Sequence, residues 1–313
     1  MQTIIIAGAA GFIGSHLCSY FLNNDYNVVA VDNLLTGNLE NLSNFISHPN
    51  FQLIQTDITE KIFDKFRDIR DIRGILHFAS PASPKDYLKH PLETMKANSV
   101  GTENLLYLAW AYNARFIYAS TSEIYGDPLI NPQQENYYGN VNSVGIRSVY
   151  DEAKRYGETM TMYYHNYRKV NTGIVRIFNT YGTRMRKNDG RLIPNLINQA
   201  INNAPLTIYG DGKQTRSFCY INDLISGIDK LYNSNYSSPI NIGNNQEITV
   251  LECANIIKEL TNSNSEIIFS PLGQDDPLVR CPDLTRANEV LDYHPSVSLR
   301  EGLKQTIAYF QRR

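Results

Sequence analysis

The sequence predicts an α/β fold in which a doubly wound parallel sheet is covered by helices and followed by a smaller C-terminal lobe. Short runs rich in Ile and Val alternate with longer segments of helical spacing through the first 120 residues. That alternation is typical of βαβ units in a parallel sheet. Beyond about residue 180 it fades, and Gly and Pro interrupt shorter elements. We therefore predict a first domain over 1–179, with a returning segment near 217–243, and a substrate-binding lobe over 180–313.

The individual elements follow from these apolar runs and from the spacing between them. Strands are expected at 3–8, 27–32, 52–55, 74–79, 115–120, 172–178, 206–209 and 240–242. Helices are expected at 91–113, 143–168 and 297–313. Residues 126–142 are rich in Pro, Gly and Asn and are expected to form a loop.

Composition and charge exclude several classes of protein. The 313 residues carry 29 basic and 31 acidic side chains, so a formal net charge of −2 provides no overall field for nucleic acid or an anionic membrane. The sequence has no apolar run long enough to span a membrane. It also lacks the basic start that is typical of a signal peptide. Its four cysteines show neither a C-x-x-C pair nor zinc-ligand spacing. We expect a cytoplasmic protein with no metal, no nucleic acid partner and no membrane partner.

A glycine-rich turn follows the first predicted strand. Gly8, Gly11 and Gly14 form a G-x-x-G-x-x-G pattern, and a helix is expected from about Ser15. The first glycine permits a tight turn, the second lets the backbone approach a pyrophosphate, and the third allows close helix–strand packing. The free N–H groups at the start of the helix favour a phosphate group. The pattern predicts a Rossmann-type dinucleotide site.

An acidic residue at the end of the second predicted strand distinguishes between two dinucleotides. Asp32 stands 24 residues after Gly8, where a carboxylate accepts hydrogen bonds from the adenosine ribose. Because it would repel a 2′-phosphate, NAD is favoured over NADP. Asp57, at the end of the third strand, suits the adenine edge. The alternative is a glycine turn needed only for packing, with Asp32 as an ordinary solvated residue.

A tyrosine and a lysine share one face of the predicted helix over 143–168. Tyr150 and Lys154 stand at i and i+4. A lysine ammonium stabilises a phenolate and lowers the pKa of the tyrosine, which can then take a proton from a hydroxyl group. Y-x-x-x-K alone is common, but Thr121 and Ser122 end a strand just upstream, where ligands bind in open α/β sheets. Thr121 is placed to share the hydroxyl proton with Tyr150.

Together these motifs resemble the extended short-chain dehydrogenase/reductase superfamily, and further stretches resemble its UDP-glucuronate decarboxylases. The resemblance covers nearly the whole chain. The stretches that carry it are 79–84 (ASPASP), 120–128 (STSEIYGDP), 131–142, 150–155 (YDEAKR), 176–182 (RIFNTYG), 189–191 (DGR), 214–218 (QTRSF) and 275–280 (DDPLVR).

The resemblance implies NAD as a bound cofactor and UDP-glucuronic acid as substrate. It implies oxidation at C4 of the sugar, loss of CO2 from the resulting β-keto acid, and reduction at C4 to give UDP-xylose. It also implies a homodimer formed through the helices at 91–113 and 143–168. The catalytic residues it implies are Thr121, Ser122, Glu123, Tyr150 and Lys154, with Glu123 close to C5 and the carboxylate.

Two sets of binding residues are implied as well. Those for the cofactor are Gly8, Gly11, Phe12, Ile13, Gly14, Asp32, Asn33, Thr36, Gly37, Asp57, Ile58, Ala79, Asn98, Tyr150 and Lys154. Those for the substrate are Asn179, Arg191, Thr207, Tyr209, Arg216, Asn241 and Arg280. In the second set Arg216 and Arg280 would face the diphosphate and UMP portion, because a chain of net charge −2 must concentrate positive groups locally to hold an anion.

Three alternatives stay open at this point. A UDP-sugar 4-epimerase or a nucleotide-sugar 4,6-dehydratase would use the same dinucleotide site and the same Tyr150. A related decarboxylase would release a 4-keto pentose instead of UDP-xylose. A non-catalytic NAD-sensing protein would have no need of Thr121, Tyr150 and Lys154 together.

Overall fold

The secondary structure follows the predicted alternation through the first half of the chain. The computed structural model describes residues 1–271 and 279–312. Within them the strands are β1 (Thr3–Ala7), β2 (Asn27–Asp32), β3 (Phe51–Gln55), β4 (Ile72–His77), β5 (Arg115–Thr121), β6 (Thr172–Ile177), β7 (Thr180–Tyr181), β8 (Leu206–Tyr209), β9 (Thr215–Ser217), β10 (Cys219–Tyr220), β11 (Pro239–Ile242), β12 (Glu247–Thr249), β13 (Ile267–Ser270) and β14 (Val279–Arg280). The helices are α1 (Phe12–Asn23), α2 (Pro84–Lys89), α3 (Pro91–Asn98), α4 (Val100–Tyr112), α5 (Ser148–Arg168), α6 (Leu192–Ile201), α7 (Ile221–Tyr232), α8 (Val250–Thr261), α9 (Thr285–Leu291) and α10 (Leu299–Gln311).

Seven of these strands form one sheet in the order β3-β2-β1-β4-β5-β6-β11, and every neighbouring pair is parallel. The chain moves outwards from β1 to β3, returns to β4 and then moves outwards in the other direction. Such a reversal opens a crevice at the carboxyl ends of the strands, which is where ligands bind in open α/β sheets. The predicted fold class is confirmed.

Both faces of this sheet are buried, as the apolar runs predict. In β1, Ile4 and Ile6 belong to the core on one face, and Ile5 and Ala7 belong to the core on the other. The first of these cores continues into the C-terminal part of the chain as far as Phe310. The sheet and the C-terminal elements therefore share one apolar interior.

The remaining strands build small sheets beside the large one. β8 pairs with β13, and β9 pairs with both β12 and β14. Helix α6 packs against α8 and α10. β11, which lies within the segment 217–243, pairs with β6 as the outermost strand of the large sheet.

The structure differs from the predicted helices at three places. Helix α1 begins at Phe12, about three residues early, because Gly11 already serves as its N-cap. The helix expected at 91–113 is broken at Ser99, whose backbone (φ −112°, ψ −83°) is not helical. The helix expected from 143 begins at Ser148, because turn hydrogen bonds occupy the preceding residues: the Gly145 N–H donates to the carbonyl of Asn142.

A buried ion pair fixes helix α5 against the sheet. Arg176 on β6 donates to both carboxylate oxygens of Glu158 on α5, over 2.9 and 2.8 Å. The same guanidinium donates to the hydroxyl of Tyr125 and to the carbonyl of Glu135, both over 2.9 Å. Ser120, near the end of β5, donates its hydroxyl to Glu158. Two strands, one helix and the loop after β5 thus meet at one bidentate pair.

We expect Glu158→Gln to lower the free energy of unfolding by about 3 kcal/mol, because it leaves the Arg176 charge buried and uncompensated. Urea denaturation followed by circular dichroism measures this. The matched control is Glu259→Gln, which removes an ion pair with Arg300 on an exposed surface and should change the urea midpoint little. Equal effects of the two substitutions would contradict the role given to the buried pair.

Candidate active site

A cavity of about 430 Å³ opens at the carboxyl ends of the parallel strands. Its wall is formed by the glycine turn, by the segment before α2, by the ends of β5 and β6, and by the C-terminal elements. The predicted site residues that line it are Gly8, Gly11, Phe12, Ile13, Gly14, Thr36, Thr121, Ser122, Glu123, Tyr150, Lys154, Asn179, Arg191, Thr207, Tyr209, Arg216 and Arg280. The sequence thus brings residues from distant parts of the chain to one cleft.

The glycine turn is shaped for close approach. Gly8 has φ +82°, and a Cβ atom there would stand 2.5 Å from the carbonyl oxygen of Phe78. A Cβ atom on Gly14 would collide with the carbonyl of Gly8. Because only hydrogen fits, helix α1 starts directly against β1 with its first N–H groups at the cavity wall. This cradle fits the pyrophosphate of a dinucleotide.

The end of β2 provides the acidic group expected for the ribose. One carboxylate oxygen of Asp32 accepts from the N–H of Ala10 over 2.9 Å, and the other accepts from the N–H of Leu34 over 2.8 Å. Burial raises the pKa of Asp32, although both hydrogen bonds oppose that shift. Each carboxylate oxygen retains a lone pair that can accept from a ribose hydroxyl. The residues fit NAD.

A second acidic group lies at the end of β3. Asn33 donates to Asp57 over 2.8 Å, and the N–H and hydroxyl of Thr59 both donate to its other oxygen. Burial raises the pKa of Asp57, but these hydrogen bonds and the charge of Lys96 outweigh burial and lower it. This pair does not line the cavity itself. The other predicted residues that stand outside the lining are Asp32, Gly37, Ile58, Ala79, Asn98 and Asn241.

Asn241 is placed differently from the prediction. It is fully buried; its amide oxygen accepts from Tyr125, and its amide nitrogen donates to the carbonyl oxygens of Gln133 and Asp283. Its hydrogen-bonding groups therefore tie the loop after β5 to the edge strand β11. This corrects the prediction that Asn241 is a substrate-binding residue.

Tyr150, Lys154 and Thr121 meet as predicted. The three side chains are buried, and Thr121 and Tyr150 are hydrogen-bonded to each other. The ammonium of Lys154 donates to the carbonyl of Ala119 over 2.9 Å and lies 5.8 Å from the ring centroid of Tyr150. A phenol, a hydroxyl and an ammonium group thus stand together at the end of β5, where they can move a proton at a bound alcohol.

The electrostatics of this trio differ from the expectation. Burial raises the pKa of Tyr150 well above its usual value, more strongly than the Thr121 hydrogen bond lowers it. Burial also lowers the pKa of Lys154 to about 7. The Lys154 ammonium therefore does not by itself lower the pKa of Tyr150 towards 7, because desolvation penalises both the phenolate and the ammonium.

Tyr87 is a wall residue that the sequence analysis missed. It is 1% exposed, and its ring stacks on that of Tyr150 with centroids 4.9 Å apart and planes 7° from parallel. Its buried hydroxyl has no hydrogen-bond partner. The available signal was the start of α2: Ser83 as N-cap and Pro84 as first residue place Tyr87 one turn into a helix that faces the cavity.

Two arginines hold Glu123. Arg147, just before α5, and Arg280, on β14, each form an ion pair with a different oxygen of this carboxylate. Burial raises the pKa of Glu123, but the charges of Arg280 and Arg147 outweigh it and keep the pKa low. Arg280 also donates to Ser122 over 3.2 Å and to the carbonyl of Gly126 over 3.1 Å. The guanidinium group of Arg280 therefore lies beside Glu123. Arg147 is a second site residue that the sequence did not predict.

The cavity concentrates positive charge in a chain that is slightly acidic overall. Among the described residues, seven basic and three acidic side chains line it. The basic ones are Arg147, Lys154, Arg184, Arg186, Arg191, Arg216 and Arg280, and the acidic ones are Asp86, Glu123 and Asp189. Such a lining suits a substrate with several negative charges. Residues 275–278 of the predicted DDPLVR motif lie outside the described residues.

Within residues 1–271 and 279–312, His, Cys, Asp and Glu do not cluster in a way that could hold a metal ion. A search of the same residues found no helix with the length and hydropathy of a membrane span.

The proteins to which this chain is similar have names that fit a cavity for a dinucleotide and a negatively charged substrate. The NAD dependent epimerase/dehydratase family matches residues 4–243. UDP-glucuronic acid decarboxylase 1 of Danio rerio is 47% identical over 311 residues, which is 99% of this chain and 73% of that protein. UDP-glucuronic acid decarboxylase 3 of Arabidopsis thaliana is 48% identical over 301 residues, 96% of this chain and 86% of that protein.

A solved structure is similar over the same extent. The UDP-glucuronic acid 4-epimerase of Bacillus cereus, in complex with UDP-glucuronic acid and NAD, is 29% identical and superposes with a TM-score of 0.89 over 99% of both chains. The protein therefore belongs to the NAD dependent epimerase/dehydratase family and, within it, to the UDP-glucuronic acid decarboxylases.

Proposed function

We propose that this enzyme converts UDP-glucuronic acid to UDP-xylose and CO2 with NAD as a bound cofactor. The observation that carries the proposal is the position of the Arg147–Glu123–Arg280 cluster beside the Thr121, Tyr150 and Lys154 trio. Side chains that can move the proton of an alcohol and side chains that can bind a carboxylate therefore line the same cavity. Relatives that are decarboxylases match at 46–48% identity, compared with 29% for the epimerase above.

The substrate diphosphate is assigned to the basic lining at the C-terminal side of the cavity. Arg216 on β9 and Asn179 after β6 line this side. Arg191 is the N-cap of α6, and its guanidinium is held by Asp189 over 2.9 Å, so it is already oriented before a ligand arrives. Thr207 and Tyr209 on β8 line the same side and suit the nucleotide.

Tyr150 is the base in this scheme. Once the phenol is ionised, its oxygen takes the proton of the C4 hydroxyl, and Thr121 shares that proton through its hydrogen bond. NAD, when bound, supplies the oxidising equivalent and then the reducing equivalent at C4. Lys154, buried and held to the carbonyl of Ala119, favours the ionised phenol whenever it carries its own proton.

Loss of CO2 follows from the position of the ketone. A C4 ketone is β to the carboxylate on C5, so the electrons of the C5–carboxylate bond pass into an enolate as CO2 leaves. Glu123 is ionised and would repel the substrate carboxylate, whereas Arg147 and Arg280 attract it. The unpartnered hydroxyl of Tyr87 can donate to the same group. Together these groups fix the orientation of the carboxylate.

A homodimer is part of the proposal. Helices α3, α4 and α5 expose large apolar side chains that the fold itself leaves uncovered: Leu92, Met95, Val100, Tyr107, Trp110, Tyr156, Tyr163 and Tyr167. α4 and α5 pack side by side, so their exposed residues form one face. Apolar faces of this kind mark contacts between protein chains. Within α4, Leu105 and Leu108 are core residues, whereas Val100 and Ala111 are exposed.

A cytoplasmic location is supported by four buried, unpaired cysteines.

Tyr150→Phe is expected to lower the rate of CO2 release by about 10²- to 10⁴-fold, because it removes the base. The measurement is release of labelled CO2 from UDP-glucuronic acid carrying the label in its carboxylate. Tyr167→Phe, on the same helix but 75% exposed, should leave the rate unchanged. A Tyr150→Phe protein within twofold of the natural one would remove Tyr150 from the mechanism.

Glu123→Gln is expected to lower CO2 release by about 10²-fold, because Arg147 and Arg280 lose the charge that orients them. Proton NMR of the sugar distinguishes the products. A 4-epimerase needs no carboxylate chemistry and would lose little activity. A variant that still epimerises UDP-glucuronic acid at the natural rate would favour the epimerase, and a released 4-keto pentose from the natural protein would reject the final reduction.

The double substitution Trp110→Asp and Tyr163→Asp is expected to convert the dimer to a monomer, because it places charge on the apolar face of α4 and α5. Light scattering after size exclusion should then give the chain mass of 35.6 kDa instead of twice that mass. Phe269→Asp, at an exposed position on β13, is the control and should remain dimeric. A natural protein that is already monomeric would reject this interface.

A further inference from the structure

Asp151 is a buried carboxyl group that the reaction described above does not use. It follows Tyr150 on α5 and is 6% exposed. Its Oδ1 atom is the one fully buried carboxylate oxygen in the described residues that has no hydrogen-bond partner. Buried carboxylates are normally paired or hydrogen-bonded, so a group left in this condition requires a physical explanation.

The charged groups around Asp151 come from three parts of the chain. The Asp151 N–H donates to the carbonyl of Arg147 over 3.1 Å, which places Asp151 one turn after the arginine that binds Glu123. The charges that act on Asp151 are those of Glu123 in the turn after β5, Arg147 and Glu152 at the start of α5, and Arg280 on β14. Tyr87 faces it from α2 and Tyr150 lies beside it, and burial raises the pKa of both phenols. The inner cluster thus contains two carboxyl groups and two guanidinium groups.

The two carboxyl groups are not equivalent. Glu123 forms ion pairs with both arginines, which keep its pKa low. Burial, and then the negative charge of Glu123, raise the pKa of Asp151 to about 7, against the opposing charges of Arg147 and Arg280. Any proton that the cluster gains is therefore gained at Asp151.

A substrate carboxylate changes the charge balance of this cluster. Beside Arg147 and Arg280 it would be the third negative group facing two positive ones. Three neighbouring carboxyl groups beside two guanidinium groups in a buried site cannot all remain ionised without a large cost in free energy. The weakest acid present, Asp151, removes the imbalance by binding a proton.

We propose that Asp151 takes up one proton when a nucleotide sugar with a carboxylate enters the cavity. The inference rests on the proposed function, because it requires the substrate carboxylate at the two arginines. It also matches the stoichiometry of the reaction. When CO2 leaves, the electrons of the broken bond form an enolate, and a new C–H bond at C5 then consumes one proton as the ketone re-forms. Asp151 does not line the cavity, so it is a positioning residue that brings this proton into the cluster.

The test measures protons taken up on binding. The NAD-loaded Tyr150→Phe protein, in which turnover is expected to be slow compared with binding, is titrated with UDP-glucuronic acid in two buffers of different ionisation enthalpy. At a pH of about 8, above the pKa of about 7, we expect uptake of about one proton per bound ligand. UDP-xylose, which carries the same UDP group without a carboxylate, should bind with almost no uptake. Adding Asp151→Asn should abolish the uptake with UDP-glucuronic acid, and adding Glu152→Gln should leave it unchanged.

A second measurement covers an Asp151→Asn protein that fails to fold. In the Tyr150→Phe protein, uptake should decrease several-fold between a pH of about 8 and a pH of about 6, because Asp151 already holds its proton at the lower pH. Uptake that is equal at both pH values, equal for UDP-xylose, or retained in Asp151→Asn overturns the inference. If the natural protein decarboxylates UDP-glucuronic acid while binding takes up no proton, this inference alone fails. If UDP-glucuronic acid neither binds nor reacts, the proposed function fails as well.

Discussion

The bidentate pair between Arg176 and Glu158 is the interaction on which the geometry of the site depends. Helix α5 carries both Tyr150 and Lys154, and it could rotate or slide along the sheet if apolar contacts alone held it. Glu158 lies one turn beyond Lys154 on the same side of the helix, and it is bound to β6 through Arg176 and to β5 through Ser120. Directional bonds to two strands therefore set the position and the rotation of the helix. The phenol and the ammonium are aimed at the end of β5 as a consequence.

Burial, more than any single charge, sets the chemistry of the cavity. It brings the pKa of Lys154 down to about 7 and the pKa of Asp151 up to about 7, so a base and an acid with ordinary values far apart become similar. Glu123 is largely enclosed as well, but its pKa stays low because two guanidinium groups compensate the lost hydration. The net positive lining then provides the attraction for a polyanionic substrate that the whole chain, at −2, does not provide.

The sequence predicted best what depends on local pattern. The strands of the large sheet and the glycine turn were correct because apolar runs and tight turns leave a mark at fixed spacing. The meeting of Thr121, Tyr150 and Lys154 was predictable from one strand end and one helical repeat. Contacts between distant segments were not predictable in this way. Arg147 and Tyr87 lie near the starts of α5 and α2. Which residues contact them there depends on how distant segments fold together, so the sequence pattern did not predict their place in the site.

Asn241 shows the opposite failure. Its residue type suits a ligand, but its strand lies at the edge of the sheet, where the loop after β5 needs a donor and an acceptor. The late start of α5 has a local origin, because a turn closed by the Gly145 N–H and the Asn142 carbonyl occupies the residues before it.

The position of Arg280 in the chain has a consequence for how the enzyme matures. The cofactor cradle, the phenol, the ammonium and Arg147 all come from the first 154 residues, whereas the second arginine comes from β14, whose pairing with β9 joins two late segments. Domains form as the chain leaves the ribosome, amino-terminal parts first. Until β14 has been synthesised, Glu123 has only one of its two cationic partners. Competence for decarboxylation therefore arrives late in synthesis, when β14 pairs with β9 and brings the second guanidinium group to Glu123.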